Sequence, residues 1–204
     1  MKIYLESLDK AAYSEFSKSI RGAPGAAGFL PFARSRGHSD SMIDKVSGAH
    51  LFGTKPSDAP FAFHLIVFPG LQQEQIARYQ RERNVSIPKQ MQRLYLRFNG
   101  LRFGRLCVYG LRNSAFQPMP NADAAYVPVD VYIELEDARR RRTPYIDRFP
   151  VGSVLLATEK FAHLVLTENA AVDLIESTGE VIRKYDSLDL AIRGEASLIA
   201  ENAA

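Results

Sequence analysis

Four histidines, one cysteine and a run of four arginines are the side chains in this sequence best suited to chemistry. A metal site needs His and Cys at short spacings that let several ligands converge on one ion. His38, His50, His64 and His163 show no such pairing, and Cys107 has no second cysteine beside it. No metal and no cofactor are therefore expected. His64 and His163 sit inside apolar runs, as hydrogen-bonded core histidines do. Cys107 falls in a strand-like stretch, where a buried inert thiol is expected; a nucleophilic one needs exposure and a cationic neighbour. Gly22, Gly25 and Gly28 are evenly spaced, but no Lys-Ser/Thr follows and no clear strand precedes them. They read as a flexible connection and not as a phosphate loop. An enzyme site assembled from His38, Asp40 and His50 would have no motif behind it, so the chain is read as non-catalytic.

The arginine run, Arg139-Arg140-Arg141-Arg142, could grip phosphates through bidentate contacts. It follows Glu134, Glu136 and Asp137 directly, with Asp130 a little further back. Local carboxylates should offset much of its charge, so a solvated, partly ion-paired segment is the first reading, a protein interface the second and nucleic acid the last. Tyr126, Tyr132 and Tyr145 flank the charges, and tyrosine with arginine is the chemistry of interface hot spots. The stretch 126–148 is thus the expected partner surface. Net charge is +3, from 26 basic and 23 acidic residues. That excess is too small to imply nucleic acid, and it fits poorly with a strongly basic partner such as a nuclease.

The 204 residues suffice for one or two domains with a proper core, and 46% apolar with 24% charged residues is ordinary for a globular protein. A single cysteine allows no internal disulfide, which fits a reducing compartment. Glu6 and Asp9 stand where a signal peptide would need an apolar run. The longest apolar stretch, Phe61 to Leu71, is broken by His64 and Pro69 and reaches about half the length of a membrane span. A cytoplasmic chain without a membrane anchor is expected; the oligomeric state stays open.

These groups must be held by secondary structure. Leu5, Leu8, Ala12, Phe16 and Ile20 predict a helix over about 7 to 20, stopped at Arg21-Gly22-Ala23-Pro24-Gly25, with loop to about Asp40. Phe61 to Phe68 reads as a buried strand. Leu71 to Asn84 reads as an exposed helix with Leu71, Ile76 and Tyr79 on its apolar face. Pro88 suits a first helical position, where its missing N–H has no partner to lose. Met91, Leu94, Tyr95 and Phe98 then form one core-facing stripe, and Asn99-Gly100 predicts a left-handed helix end. Leu106–Tyr109, Val154–Ala157, Ala162–Leu166 and Val172–Ile175 read as strands. Thr178-Gly179 turns the chain into a hairpin partner over Val181–Tyr185. Strands this close are antiparallel. Asp186 or Ser187 can cap a last helix carrying Leu188, Ala191, Ile192, Leu198 and Ile199. Residues 127–137 fit two patterns. Val127, Val129, Val131, Ile133 and Leu135 alternate as in a strand, whereas Val131, Leu135 and Ala138 suit a helix.

This order of elements, with the stretch from Ile76 through Ile87-Pro88 to Asn99-Gly100, resembles the SUKH superfamily, which includes the Smi/Knr cell-wall regulators. Ser177 to Asp186 is similar to the family's late hairpin. Leu101 stands where a second glycine is common, and the chain lacks the tryptophan that members often carry. The resemblance covers about 71–195. It implies an α+β fold, an antiparallel meander packed against N-terminal and C-terminal helices, in a binding domain over 71–204 behind an N-terminal extension over 1–70. It also implies a non-catalytic protein-binding role: an immunity protein that neutralises a cognate bacterial toxin, or alternatively a regulatory scaffold for a cellular partner. Pro88, Asn99, Gly100 and Gly179 enter as structural positions only.

Overall fold

At Pro69-Gly70 the hydrophobic period changes from that of a strand to that of a helix, and the backbone changes with it. The computed structural model describes residues 5–7, 41–44, 47–54, 63–112, 126–157 and 160–202. In chain order come β1 (Leu5–Ser7), β2 (Ser41–Asp44), β3 (His50–Thr54) and β4 (Phe63–Pro69). Helices α1 (Gln73–Arg83) and α2 (Lys89–Arg97) follow, then β5 (Phe98–Phe103), β6 (Leu106–Val108) and α3 (Val131–Arg141). The chain continues through β7 (Phe149–Ala157), β8 (Lys160–Leu166), β9 (Val172–Glu176), β10 (Val181–Tyr185) and α4 (Leu188–Asn202). The fold is α+β: the ten strands form one sheet in sequence order, each antiparallel to its neighbours. Of the helix expected over 7–20 only Ser7 is described, and it closes β1; Gly22, Gly25, Gly28, His38 and Asp40 also lie outside the described residues.

The two faces of the sheet differ. One buries Leu65, Val67, Leu101, Phe103, Leu106, Val108, Val154, Leu164 and Leu174 in the main core, against Ile76 and Tyr79 of α1, Met91, Leu94 and Tyr95 of α2, and Ala191 and Ile192 of α4. The other carries a row that runs strand to strand through Leu51, Ile66, Arg102, Cys107, Ser153, His163 and Ile175. On this face Ala138 of α3 packs with Tyr145, Val165 and Ile175. The sheet passes without a break across residues 70 and 71, and Phe52, Leu65 and Val67 share the main core with the helices that follow. Among the described residues no helix is long and apolar enough to cross a membrane.

Two turn residues do something other than expected. Asn99-Gly100 does not end α2. That helix stops at Arg97, and Phe98 is already extended at φ −154° and ψ 141°. Phe98 pairs with Pro69 at the start of β5, so the neighbouring strand captures the chain before a left-handed cap can form. The Asn99 side chain then acts as a short strand of its own. It donates to the Leu111 carbonyl at 2.8 Å and accepts from the Leu111 N–H at 2.7 Å. Gly100 does take positive φ, +92°, but within the strand, where a Cβ would stand 2.8 Å from the Val108 carbonyl oxygen. The left-handed asparagine cap is instead Asn84, φ 48°, at the end of α1. Pro88 sits one residue before its expected place: with ψ 145° it is the extended cap residue, and its carbonyl accepts the Gln92 N–H at 3.0 Å.

Residues 126–141 satisfy both of their patterns in turn. Up to Asp130 the chain is extended and bridges Gly110, with Gly110 N–H on the Val129 carbonyl and Val131 N–H on the Gly110 carbonyl, both at 2.9 Å. Asp130 then caps α3 by accepting the Tyr132 N–H at 3.2 Å. At the C-terminal end Gly179 turns at φ +94° between β9 and β10. Ser187 caps α4, its Oγ accepting the Leu190 N–H at 3.3 Å. Glu195 of α4, only 2% exposed, accepts from the Tyr185 hydroxyl at 2.5 Å and pairs with Arg183 at 3.2 Å, tying the helix to the last strand.

Candidate protein-binding surface

Helix α3 is amphipathic in an uneven way. Val131, Leu135 and Ala138 lie at i, i+4 and i+7 and are buried. Its acidic residues divide between inside and outside. Asp130 is 4% exposed; besides capping the helix it accepts a short hydrogen bond from the Tyr79 hydroxyl of α1. Glu134 turns toward the sheet, where burial pushes its carboxyl up while a hydrogen bond with Tyr109 holds it. Glu136 and Asp137 face outward. Glu136 pairs with Arg139 at 2.7 Å, and Asp137 pairs with both Arg140 and Arg141, the latter at 2.7 Å. Arg142 ends the helix in the left-handed region at φ 52°. Its backbone N–H reaches the Ala138 and Arg139 carbonyls, and its side chain is exposed.

The tyrosines divide in the same way. Tyr132 is half-buried, with the Arg83 guanidinium of α1 4.9 Å above its ring centroid, a cation–π contact. Tyr126 and Tyr145 are buried. Tyr126 meets Phe63 edge to face at 5.9 Å, and Tyr145 lies over His163 at 4.8 Å. Tyr126, Asp130 and Tyr145 therefore form no part of an outer surface; they hold the segment in place. Glu136 and Arg139 to Arg142 are exposed and Tyr132 and Asp137 half-buried beside them, with one further exposed residue that the charge pattern does not single out. Ile133 is 56% exposed, on the outer face of α3. It belongs to the stripe Ile133, Asp137 and Arg140, visible in the sequence only once 131–141 is known to be helical.

Among the described residues the one thiol is held in an unreactive state. Cys107 is pushed up to about 11, chiefly by burial and against the pull of Arg102, so its thiol stays protonated near neutrality. Cys107, Ser153 and His163 lie opposite one another on adjacent strands. Two strand spacings put the thiol and the imidazole about 10 Å apart, beyond direct proton transfer. Among the described residues no three His, Cys, Asp or Glu side chains converge as metal ligands would.

Burial lowers the pKa of both His50 and His163 from 6.5. A depressed histidine contributes stability that is present above the unfolded value and is lost as pH falls toward the folded one. Glu134, raised from 4.5, works the other way: its contribution is full below that value and lost as pH rises through the folded one. The urea midpoint is therefore expected to fall between about pH 7.5 and about pH 5.5, the range in which an unfolded histidine gains its proton. His163→Phe keeps the ring packed on Tyr145 and should flatten that slope. Equal slopes in the variant and the parent would remove His163 from the account.

Comparison of the chain with protein-family models, with curated proteins and with solved structures gives no match.

Proposed function

We propose that this chain works in the cytoplasm by binding another protein through the outer face of α3, and that it is an immunity protein whose partner is a cognate bacterial toxin. The observation that carries the binding reading is Ile133, 56% exposed, beside a tyrosine clasped by Arg83 and one turn or more before a cluster of exposed arginines. Tyrosine, arginine and an aliphatic side chain on one rigid helix are what an interface core uses. The helix is a firm platform, since Asp130 and Glu134 fasten it from below to α1 and to Tyr109. The toxin reading is supported by the resemblance to the SUKH superfamily, and by the order from α1 and α2 through antiparallel strands to α4. Inhibition would be stoichiometric, by occlusion. An 11-residue helix is about 16 Å long, so an interface of about 800 Å² per partner needs surface around α3 as well.

Co-expression tests this. The gene should rescue cells from a toxin encoded beside it, and the purified pair should form a one-to-one complex. Ile133→Asp should weaken that complex by more than about tenfold and abolish rescue, while shifting stability by less than about 0.5 kcal/mol because the side chain is outward. Failure of the unmodified chain to bind any neighbouring product would defeat the toxin reading. Full rescue by Ile133→Asp would move the surface away from α3.

A further inference from the structure

We infer that the partner presents an acidic surface to α3, with an aliphatic or aromatic contact about 10 Å from its carboxylates. This rests on the protein-binding reading and adds the chemistry of the partner. Sequence alone sets four carboxylates, Asp130, Glu134, Glu136 and Asp137, against the four arginines, which is near balance. The fold changes that balance. Asp130 is buried under Tyr79, and Glu134 is drawn under the helix to Tyr109, leaving Glu136 and Asp137 as the outward anions. Even with Glu134 counted in full, four arginines stand against three carboxylates. Arg83, fixed over Tyr132 at the other end of α3, adds a fifth cation to this surface.

The arginines are also available. Arg140 and Arg141 are 77% and 71% exposed and share the single carboxylate of Asp137. A guanidinium has five N–H donors, so one shared contact leaves most of them facing water. Exposed helix ion pairs contribute only about 0.3–0.5 kcal/mol, and exchanging Asp137 for a partner's carboxylate costs little. Arginine matches a carboxylate bidentately, and such a pair strengthens when the interface excludes water.

The layout favours protein over nucleic acid. Ile133 and Arg140 are seven residues apart along one stripe, with Glu136 and Asp137 between them. A phosphate backbone lying along α3 would pass directly over those two anions. A protein surface can set an apolar side chain on Ile133 and carboxylates on Arg140 and Arg141 separately.

The test pans a phage-displayed library of random peptides, in low salt, on the intact chain, with a short DNA duplex as a second probe. Enriched peptides should combine Asp or Glu with aliphatic or aromatic residues. A synthetic copy should bind about tenfold or more weakly to R140E/R141E, and more weakly as salt is added. R140Q/R141Q, which adds no negative charge beside Asp137, should show the same direction of change and guards against a folding defect in the first variant. Basic or neutral peptides, no enrichment, or affinity unchanged in both variants would overturn the inference. Tighter retention of the duplex than of the best peptide would assign the surface to nucleic acid and overturn it too. A neighbour-encoded toxin still bound by R140E/R141E would keep the toxin reading and sink this one. Acidic peptides that enrich while no neighbouring product binds would do the reverse.

Discussion

Asn99→Ala is expected to destabilise the fold by about 3–5 kcal/mol, from two orphaned backbone groups at about 1–3 kcal/mol each plus the lost packing of the side chain. Asn99 is fully buried, and its amide satisfies both the N–H and the carbonyl of Leu111, itself fully buried. Asn99→Asp should be no milder. It keeps an acceptor for the Leu111 N–H, loses the donor to the Leu111 carbonyl and places a charge in the core. Urea unfolding measures both variants. A loss below about 1 kcal/mol for Asn99→Ala would mean that the Leu111 groups find other partners, and that the asparagine is not what joins β5 to the chain beyond β6.

Asp130→Ala is the second large effect, about 2–4 kcal/mol, because it removes a helix cap and the buried acceptor of a tyrosine hydroxyl together. Both bonds use the same oxygen, Oδ1, which takes the Tyr132 N–H and the Tyr79 O–H. Asparagine retains that oxygen, so Asp130→Asn should recover most of the loss. Tyr79→Phe combined with Asp130→Ala should cost less than the sum of the two single changes, since each removes the same contact. The Ala variant should also bind the partner more weakly, as the N-terminal turn of α3 loosens beneath Ile133. If Asp130→Asn is as damaging as Asp130→Ala, the negative charge matters and the shared acceptor does not.

Much of this architecture can be read from residue order, and the exceptions have physical causes. β7 to β10 announce themselves because Thr178-Gly179 and the short apolar runs are local signals. Helices α1 and α2 do so because Ile76 with Tyr79, and Met91 with Leu94 and Tyr95, repeat at helical spacing. β3 gives no such signal: Leu51 is fully buried and Phe52 is 3% exposed, so the alternation that marks a half-exposed strand is missing. Asn99-Gly100 misleads because Asn-Gly suits a helix end and a strand kink equally. What decides between them is Leu111, twelve positions away, and no local rule contains it. For the candidate surface, composition shows the charges without their directions. Asp130 and Glu134 look like Glu136 and Asp137 in a string of letters. Their inward turn depends on Tyr79 and Tyr109, which come from other elements. Ile133 stays hidden for a related reason: while 127–137 can be read as a strand, it belongs to the same alternating set as Val131 and Leu135, and only the helical register sets it apart.

Each strand of the sheet bonds to the strands before and after it in the chain, which bears on how such a molecule assembles. Loop closure is inexpensive for adjacent hairpins, so β2 to β4 and β7 to β10 can zip locally and early. Three joins are longer in sequence: β1 to β2, over residues 8–40, β4 to β5, around α1 and α2, and β6 to β7, around α3. The Tyr79–Asp130 contact links the second of these to the third. Late folding should then be the docking of the separately grown pieces β2 to β4, β5 to β6 and β7 to β10, with a hydroxyl and a carboxylate fastening the α1 excursion to the α3 one.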